Sequence, residues 1–447
     1  MSQAPRIENL ETRRLFAAVT VNDPQFKAQP DLQSIDIGRA WSKSTGSLNV
    51  VVASIDSGLD YTHPDLYANV WINQDELPGY YRKHLKDVDK DGRISFYDLD
   101  SRKNRRWMTD FNDNGVIDPY DVLQNTRRGG WGDDDDADAN GYTDDIIGWD
   151  FADGDNNPYD YVGHGTHTAG TIAAQADNDK NIAGVAQTSL MVVKIFGDDG
   201  DGATEQQIAD AIRYSADEGA RVSNNSWGFT QPTFGGGFPF FAFDEADYSG
   251  DLIYQAIEYA GEKGQIFVAA AGNDTEDNDF SFNGSYPASY DLPNIVSVAA
   301  VSDDGELSYF SNYGESSVDL AAPGERVLST WTGGGTRVAS GTSMATPHVT
   351  GTIALMLARY PKLKIVQVKN DLLASVDVNM SVYSDLVSGG TLNAGEAVYR
   401  AAVRRSLALG NDAGTTLAAL ASRAKAQTAA LFSTQPITAD VLDEQTA

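Results

Sequence analysis

Asn49-Val50-Val51-Val52-Ala53-Ser54-Ile55 is a largely apolar, β-branched run without polar alternation that stops abruptly at Asp56-Ser57-Gly58. A strand with one wet face alternates apolar and polar residues. A run without alternation is dry on both faces, as in a parallel sheet covered by helices on either side. Strand candidates of similar character lie at 190–196, 221–225, 265–270 and 294–300, and helical patterns over 164–174, 205–216, 252–264 and 343–358 fall between and after them. Strands alternating with helices specify an α/β chain with a doubly wound, mostly parallel β-sheet flanked by helices. Such a sheet places its functional residues at the carboxyl ends of its strands. Asp56 is then a residue to watch.

Composition narrows the function classes. The 447 residues carry 64 acidic and 33 basic side chains, a net charge of −31. That field repels nucleic acid and anionic membranes, and it suits cations. There is no cysteine, hence no disulfide framework and no thiol chemistry. No run approaches the roughly 18 apolar residues of a membrane span. Nothing demands an oligomer, so a monomer is the default.

Along the chain, residues 1–20 read as a leader or flexible arm and residues 21–400 as one large domain. Residues 66–160 interrupt that domain as an insertion rich in Asp, Asn and Gly, and a second, smaller insertion rich in Gly and Phe covers 229–251. Residues 401–447 form an Ala-rich C-terminal tail, with a helix expected over 416–432 and no functional reading.

The long insertion contains an internal repeat. Asp87, Asp89, Asp91, Gly92 and Asp98 occupy positions 1, 3, 5, 6 and 12 of an EF-hand-like loop. Asp110, Asn112, Asn114, Gly115 and Asp121 repeat those positions, with Asp118 at position 9. Calcium is a hard ion that takes six to eight oxygens, and the glycine permits the turn that lets alternate side chains converge. Asp136, Asp138, Asn140, Gly141 and Asp144 start a third loop whose twelfth position is Ile147, so its coordination is expected to be irregular. The expected cofactor is structural Ca²⁺.

Three segments carry catalytic chemistry. Asp56 ends the buried run. His164 stands in Gly163-His164-Gly165-Thr166-His167, and Ser343 in Gly341-Thr342-Ser343-Met344-Ala345-Thr346-Pro347-His348. A serine hydroxyl needs an imidazole to take its proton, and the imidazole needs a buried carboxylate to fix its tautomer. The flanking glycines let a substrate backbone approach. Ser343 opens a helical pattern, so its backbone N–H is free to meet developing negative charge. His167, one helical turn from His164, is expected to be structural, and His63, His84 and His348 structural or exposed.

These blocks, in the order Asp, His, Ser, resemble the subtilase family of serine peptidases over roughly residues 21–400. The resemblance implies a serine endopeptidase acting on extended polypeptide, secreted or at the cell surface. It also assigns further roles. Ala269-Ala270-Ala271-Gly272-Asn273 is similar to the segment supplying the oxyanion-hole amide, Asn273, with Gly272 beside the substrate. Ser226-Trp227-Gly228 is similar to the strand that pairs with substrate, and Ser285-Tyr286-Pro287-Ala288 to a specificity-pocket wall with a cis proline. The 178–184 loop looks shortened, which puts in doubt a calcium site that many relatives build from the aspartate matching Asp65. The alternatives are a non-catalytic subtilase fold and a calcium-dependent binding or adhesion protein, the second requiring the 87–121 repeat to bind a partner on its own.

Overall fold

A computed structural model describes residues 21–125, 129–230, 248, 250–280 and 284–408. The expected leader, most of the 229–251 insertion and the expected helix at 416–432 lie outside the described residues.

The apolar run becomes β1 (Gly46–Asp56), and its last seven residues are all buried. The other strands are β2 (Gly148–Asp150), β3 (Gln187–Lys194), β4 (Val222–Asn225), β5 (Phe229–Thr230), β6 (Ile266–Ala270), β7 (Ser285–Tyr286), β8 (Ile295–Val301), β9 (Leu320–Pro323), β10 (Val327–Trp331), β11 (Gly335–Ala339), β12 (Asp377–Val378) and β13 (Gly390–Thr391). Nine of them form one sheet in the order β12-β13-β9-β8-β6-β4-β1-β3-β2. It is parallel except for the β12–β13 pair. β2 corrects the sequence reading: three residues within the acidic insertion extend the sheet beside β3.

The helices are α1 (Pro30–Ser34), α2 (Ile37–Trp41), α3 (Gly79–His84), α4 (Phe96–Leu99), α5 (Pro119–Val122), α6 (His164–Ala173), α7 (Glu205–Asp217), α8 (Leu252–Lys263), α9 (Thr342–Arg359), α10 (Ile365–Leu373) and α11 (Ala394–Ala408). The two-residue period of β1 divides the core. Val50 and Val52 join a cluster with Ala169 of α6 and Val349 and Ile353 of α9. Val51, Ala53 and Ile55 join another with Ile212 of α7 and Ile257 of α8. Both faces of the sheet are therefore dry, as the unalternating run requires.

The strand order reverses around β1, which lies between β3 and β4 although it comes first in the chain. Side chains leaving the carboxyl ends of β1, β4 and β6 meet in the crevice that such a reversal opens. Asp56, the 226–228 segment and Asn273 all arrive there.

Candidate active site

Asp56 is the last residue of β1, and its side chain is 1% exposed. Its Oδ1 lies 2.7 Å from His164 Nδ1 and accepts the Ser57 N–H, while Oδ2 accepts the Thr168 hydroxyl. Burial disfavours the imidazolium, yet the charge of Asp56 and its hydrogen bond outweigh burial, and the His164 pKa stands above its ordinary value. The imidazole side chain remains 34% exposed, so its other face is open to a reactant.

His164 is the first residue of α6. Asp160, fully buried and just upstream, holds this start in place. Its Oδ1 accepts the Val162 and Gly163 amides and the Ser57 hydroxyl, and its Oδ2 accepts the Thr166 amide and hydroxyl. The sequence reading passed over Asp160. Its signal was the position of a short acidic side chain just before a helix, where free N–H groups need acceptors.

Ser343 is the second residue of α9. Pro347 stands four residues on, has no N–H, and so leaves the Ser343 carbonyl without its helical donor. The Ser226 hydroxyl fills that gap at 2.9 Å, and the Ser343 hydroxyl in turn donates to the Ser226 carbonyl at 3.0 Å. Ser343 is thus clamped to the residue that follows β4. Its hydroxyl rests on Ser226.

The Asn273 Oδ1 accepts both the N–H and the hydroxyl of Thr342, which directs its amide nitrogen away from that anchor. His164, Asn273, Trp331, Arg337, Ser340 and Ser343 are among the residues lining a cleft of about 450 Å³.

Two expected substrate contacts take other parts. Gly272 donates its N–H to Thr342 and its carbonyl accepts the Asn312 N–H; with φ at +111° it supplies the turn that presents Asn273. The Trp227 side chain is buried edge-on against Phe267, which leaves only backbone in 226–228 for a strand-like partner. Tyr286-Pro287 is cis, as the resemblance implied. His167 is structural: it is buried, its Nε2 lies near the Val327 and Arg337 carbonyls, and burial lowers its pKa to about 4. His63 and His348 are buried and hydrogen-bonded, and His84 lies against Tyr80 and Trp107.

The three acidic loops share one wiring. The carboxylates of Asp87, Asp110 and Asp136 accept the amides of Gly92, Gly115 and Gly141 at 3.0, 2.9 and 2.9 Å. In the first two loops the twelfth residue also closes the ring, with Asp98 accepting the Val88 amide and Asp121 the Phe111 amide. Oxygens of Asp87, Asp89 and Asp98 lie within 4.8 Å of one another. Asp91 stands close by and accepts the Arg93 amide. In the second loop Asn112 and Asn114 donate to Asp118 Oδ2, while the buried Asp118 Oδ1 has no partner among the described residues.

The third loop departs from the sequence reading. Asp144 turns back to accept the Asp133 and Asp134 amides and does not join Asp136 and Asp138. Asp138 instead converges with Asp145 and Glu218, and together with Asp136 also with Glu76. Asn140 bridges this group through its amide to Asp138, Asp145 and Glu218. Burial first, and neighbouring carboxylates, raise Glu76 and Glu218 to about 7 and Asp145 to about 6. At Asp65, protein donors take both oxygens: Asn178 and Ile182 of the 178–184 loop hydrogen-bond to them.

The profile of the subtilase family matches residues 47–404. A thermophilic serine proteinase of Bacillus sp. strain AK1 is 32% identical over 362 residues, which are 80% of this chain and 65% of that protein. Thermitase of Thermoactinomyces vulgaris is 40% identical over 217 residues, 48% of this chain and 68% of the relative. Halolysin of Haloferax mediterranei is 31% identical over 86% of this chain and 55% of its own length. The matched part of the chain thus spans between about half and two thirds of these relatives. Among solved structures, a protease of Pseudoalteromonas arctica PAMC 21717 superposes with a TM-score of 0.54 at 26% identity, covering 86% of this chain and 99% of that one. The chain belongs to the subtilase family.

Proposed function

We propose that the protein is a serine endopeptidase that cuts extended polypeptide through an acyl-enzyme. Ser343 attacks the scissile carbonyl, and His164 takes its proton and later gives it to the leaving amine. Asp56 holds His164 in the productive tautomer, and the Asn273 amide with the Ser343 N–H stabilises the oxyanion. The observation that carries this reading is the Asp56–His164 hydrogen bond of 2.7 Å, buried on its carboxylate side and opening into the cleft that Ser343 and Asn273 also line. The substrate chain lies beside the 226–228 backbone as an added strand. The relatives' names support the activity: they are called serine proteinase and thermitase, and others extracellular serine protease and cell wall-associated protease. The last two names also support a site of action outside the cell.

The acidic loops hold structural calcium in this reading. The donor set is all oxygen, the glycine turns are in place, and the orphaned Asp118 Oδ1 is a buried anionic atom that a cation would satisfy. Asp87, Asp89, Asp91 and Asp98 would hold one ion, and Asp110, Asn112, Asn114, Asp118 and Asp121 a second. Asp136, Asp138 and Asn140 would hold a third with Asp145, Glu76 and Glu218. When bound, the ions neutralise carboxylates that otherwise repel.

Digestion of an unfolded protein by the wild type and by Ser343→Ala tests the activity. The wild type should yield internal fragments and the variant none. Internal cleavage by Ser343→Ala, or only terminal trimming by the wild type, would overturn the assignment.

A further inference from the structure

One wall of the cleft is the hairpin of β10 and β11, and two of its side chains act as a unit. The Arg337 guanidinium lies over the Trp331 ring, 4.3 Å from its centroid. Trp331 cannot retreat. A Cβ on Gly163 would sit 2.5 Å from the indole, so the ring rests directly on the residue before His164, and His167 meets it edge-on at 6.2 Å. Arg337 itself is exposed and has no ion-pair partner among the described residues. In a chain with 64 acidic residues against 33 basic ones, this places a cation without an ion-pair partner among the described residues at the rim of the cleft.

The hairpin's side of the nucleophile follows from the contacts. Ser226 clamps Ser343 from the β4 flank, and in the endopeptidase reading the acyl part of a substrate lies along 226–228. The cleft floor that continues past Ser343 and His164 is lined by Trp331, Arg337 and Ser340, without residues of that segment. In that reading the peptide beyond the scissile bond leaves over this wall, beside the imidazole that protonates its amine.

We propose that Arg337, held on Trp331, is a specificity-determining residue that selects substrates with an acidic side chain at the first or second position after the scissile bond. The proposal rests on the endopeptidase reading above. Stacking on an indole restrains the guanidinium while its N–H fork stays free, and that fork matches a carboxylate in geometry as well as charge.

The test compares internally quenched peptides that differ only at those two positions, with Asp, Asn or Lys in both. The readout is the ratio of kcat/KM for the Asp peptide over the Lys peptide, in wild type, Arg337→Lys, Arg337→Gln and Arg337→Glu. Taking the ratio between variants cancels the field of the rest of the molecule. Relative to wild type, it should fall about fivefold in Arg337→Gln and about twentyfold in Arg337→Glu, as expected for gaining or losing one exposed pair at a time. Arg337→Lys keeps the charge but loses the planar fork, so its ratio should fall between those of wild type and Arg337→Gln, which separates charge from a general disturbance of the hairpin. A ratio unchanged in Arg337→Gln, or lost equally in Arg337→Lys, overturns the proposal. Casein digestion by the wild type runs alongside: digestion with a flat peptide ratio sinks the specificity alone, whereas no cleavage of anything sinks the endopeptidase reading and this inference with it.

Discussion

Removing calcium should make the protein's stability depend on pH in a direction set by the third acidic loop. Asp145 is buried and, without a cation, held at about 6, roughly two units above an ordinary aspartate. A folded-state pKa raised above the unfolded one means stability that is full below about pH 4 and is lost as pH rises through about 6. Two units correspond to about 3 kcal/mol, an order of magnitude for Asp145 alone. Glu76, buried, and Glu218, half-buried and therefore discounted, stand at about 7 and act in the same direction. An unfolding entropy of about 2.1 cal/mol/K per residue over roughly 400 residues gives about 0.8 kcal/mol/K, so 3 kcal/mol lowers Tm by about 4 °C. The assay is thermal unfolding of Ser343→Ala, which cannot digest itself, in chelator and in calcium at pH 5 and pH 8. At pH 5 about half of the Asp145 contribution is already lost, so in chelator Tm should fall by at least about 2 °C between the two, and further where Glu76 and Glu218 add to it. Calcium competes with protons for the same oxygens, so its stabilisation should grow with pH. Glu218→Gln should flatten the chelated slope and weaken the calcium response, whereas self-repulsion of the whole chain would leave both intact. Equal chelated Tm values at pH 5 and pH 8, or a calcium effect that does not grow with pH, would refute the reasoning.

Other outcomes follow from the site. Asn273→Ala should lower kcat about 10²–10³-fold with little change in KM, the loss known for removing one such donor from a subtilisin. Asp56→Asn should cost on the order of 10⁴ in kcat, as in such triads generally, because His164 loses its tautomer. Since Asp56 raises the His164 pKa, wild-type kcat/KM should rise with pH to a midpoint above that of free imidazole, and the residual activity of Asp56→Asn should show a lower midpoint. Gly163→Ala places a Cβ 2.5 Å from Trp331 at φ +97°, and should lower Tm and reduce kcat by displacing His164.

The parts of this chain that were legible in sequence are those whose signal is local and repeated. The unalternating run at 49–55 announced β1 and placed Asp56 at its end, and the helical patterns at 164–174 and 343–358 begin within one residue of α6 and α9. β2 was invisible because three residues between acidic turns have no period to read. α4 and α5 are four-residue helices closed by capping boxes in which Asp98 and Asp121 take part, so the aspartates that end the loop pattern also start helices. Asp144 was misplaced because spacing counts residues but does not give direction: the chain turns at 144 and presents Asp145 to the cluster instead. Glu76 and Glu218 reach Asp138 from 62 and 80 residues away, distances that no motif encodes. The Ser226–Ser343 clamp was half legible, since Pro347 told that the Ser343 carbonyl needed a donor but not which one.

The central claim is that Ser343 is a nucleophile activated by His164. Only a serine so activated attacks the phosphorus of a fluorophosphonate, displacing fluoride, and the stable phosphonyl adduct can be located by mass spectrometry of peptides. The full chain should gain the mass of one adduct, mapped to the peptide containing Ser343, and both Ser343→Ala and His164→Ala should stay unlabelled. An adduct on any other serine, or none on wild-type protein that unfolds cooperatively, would contradict the account.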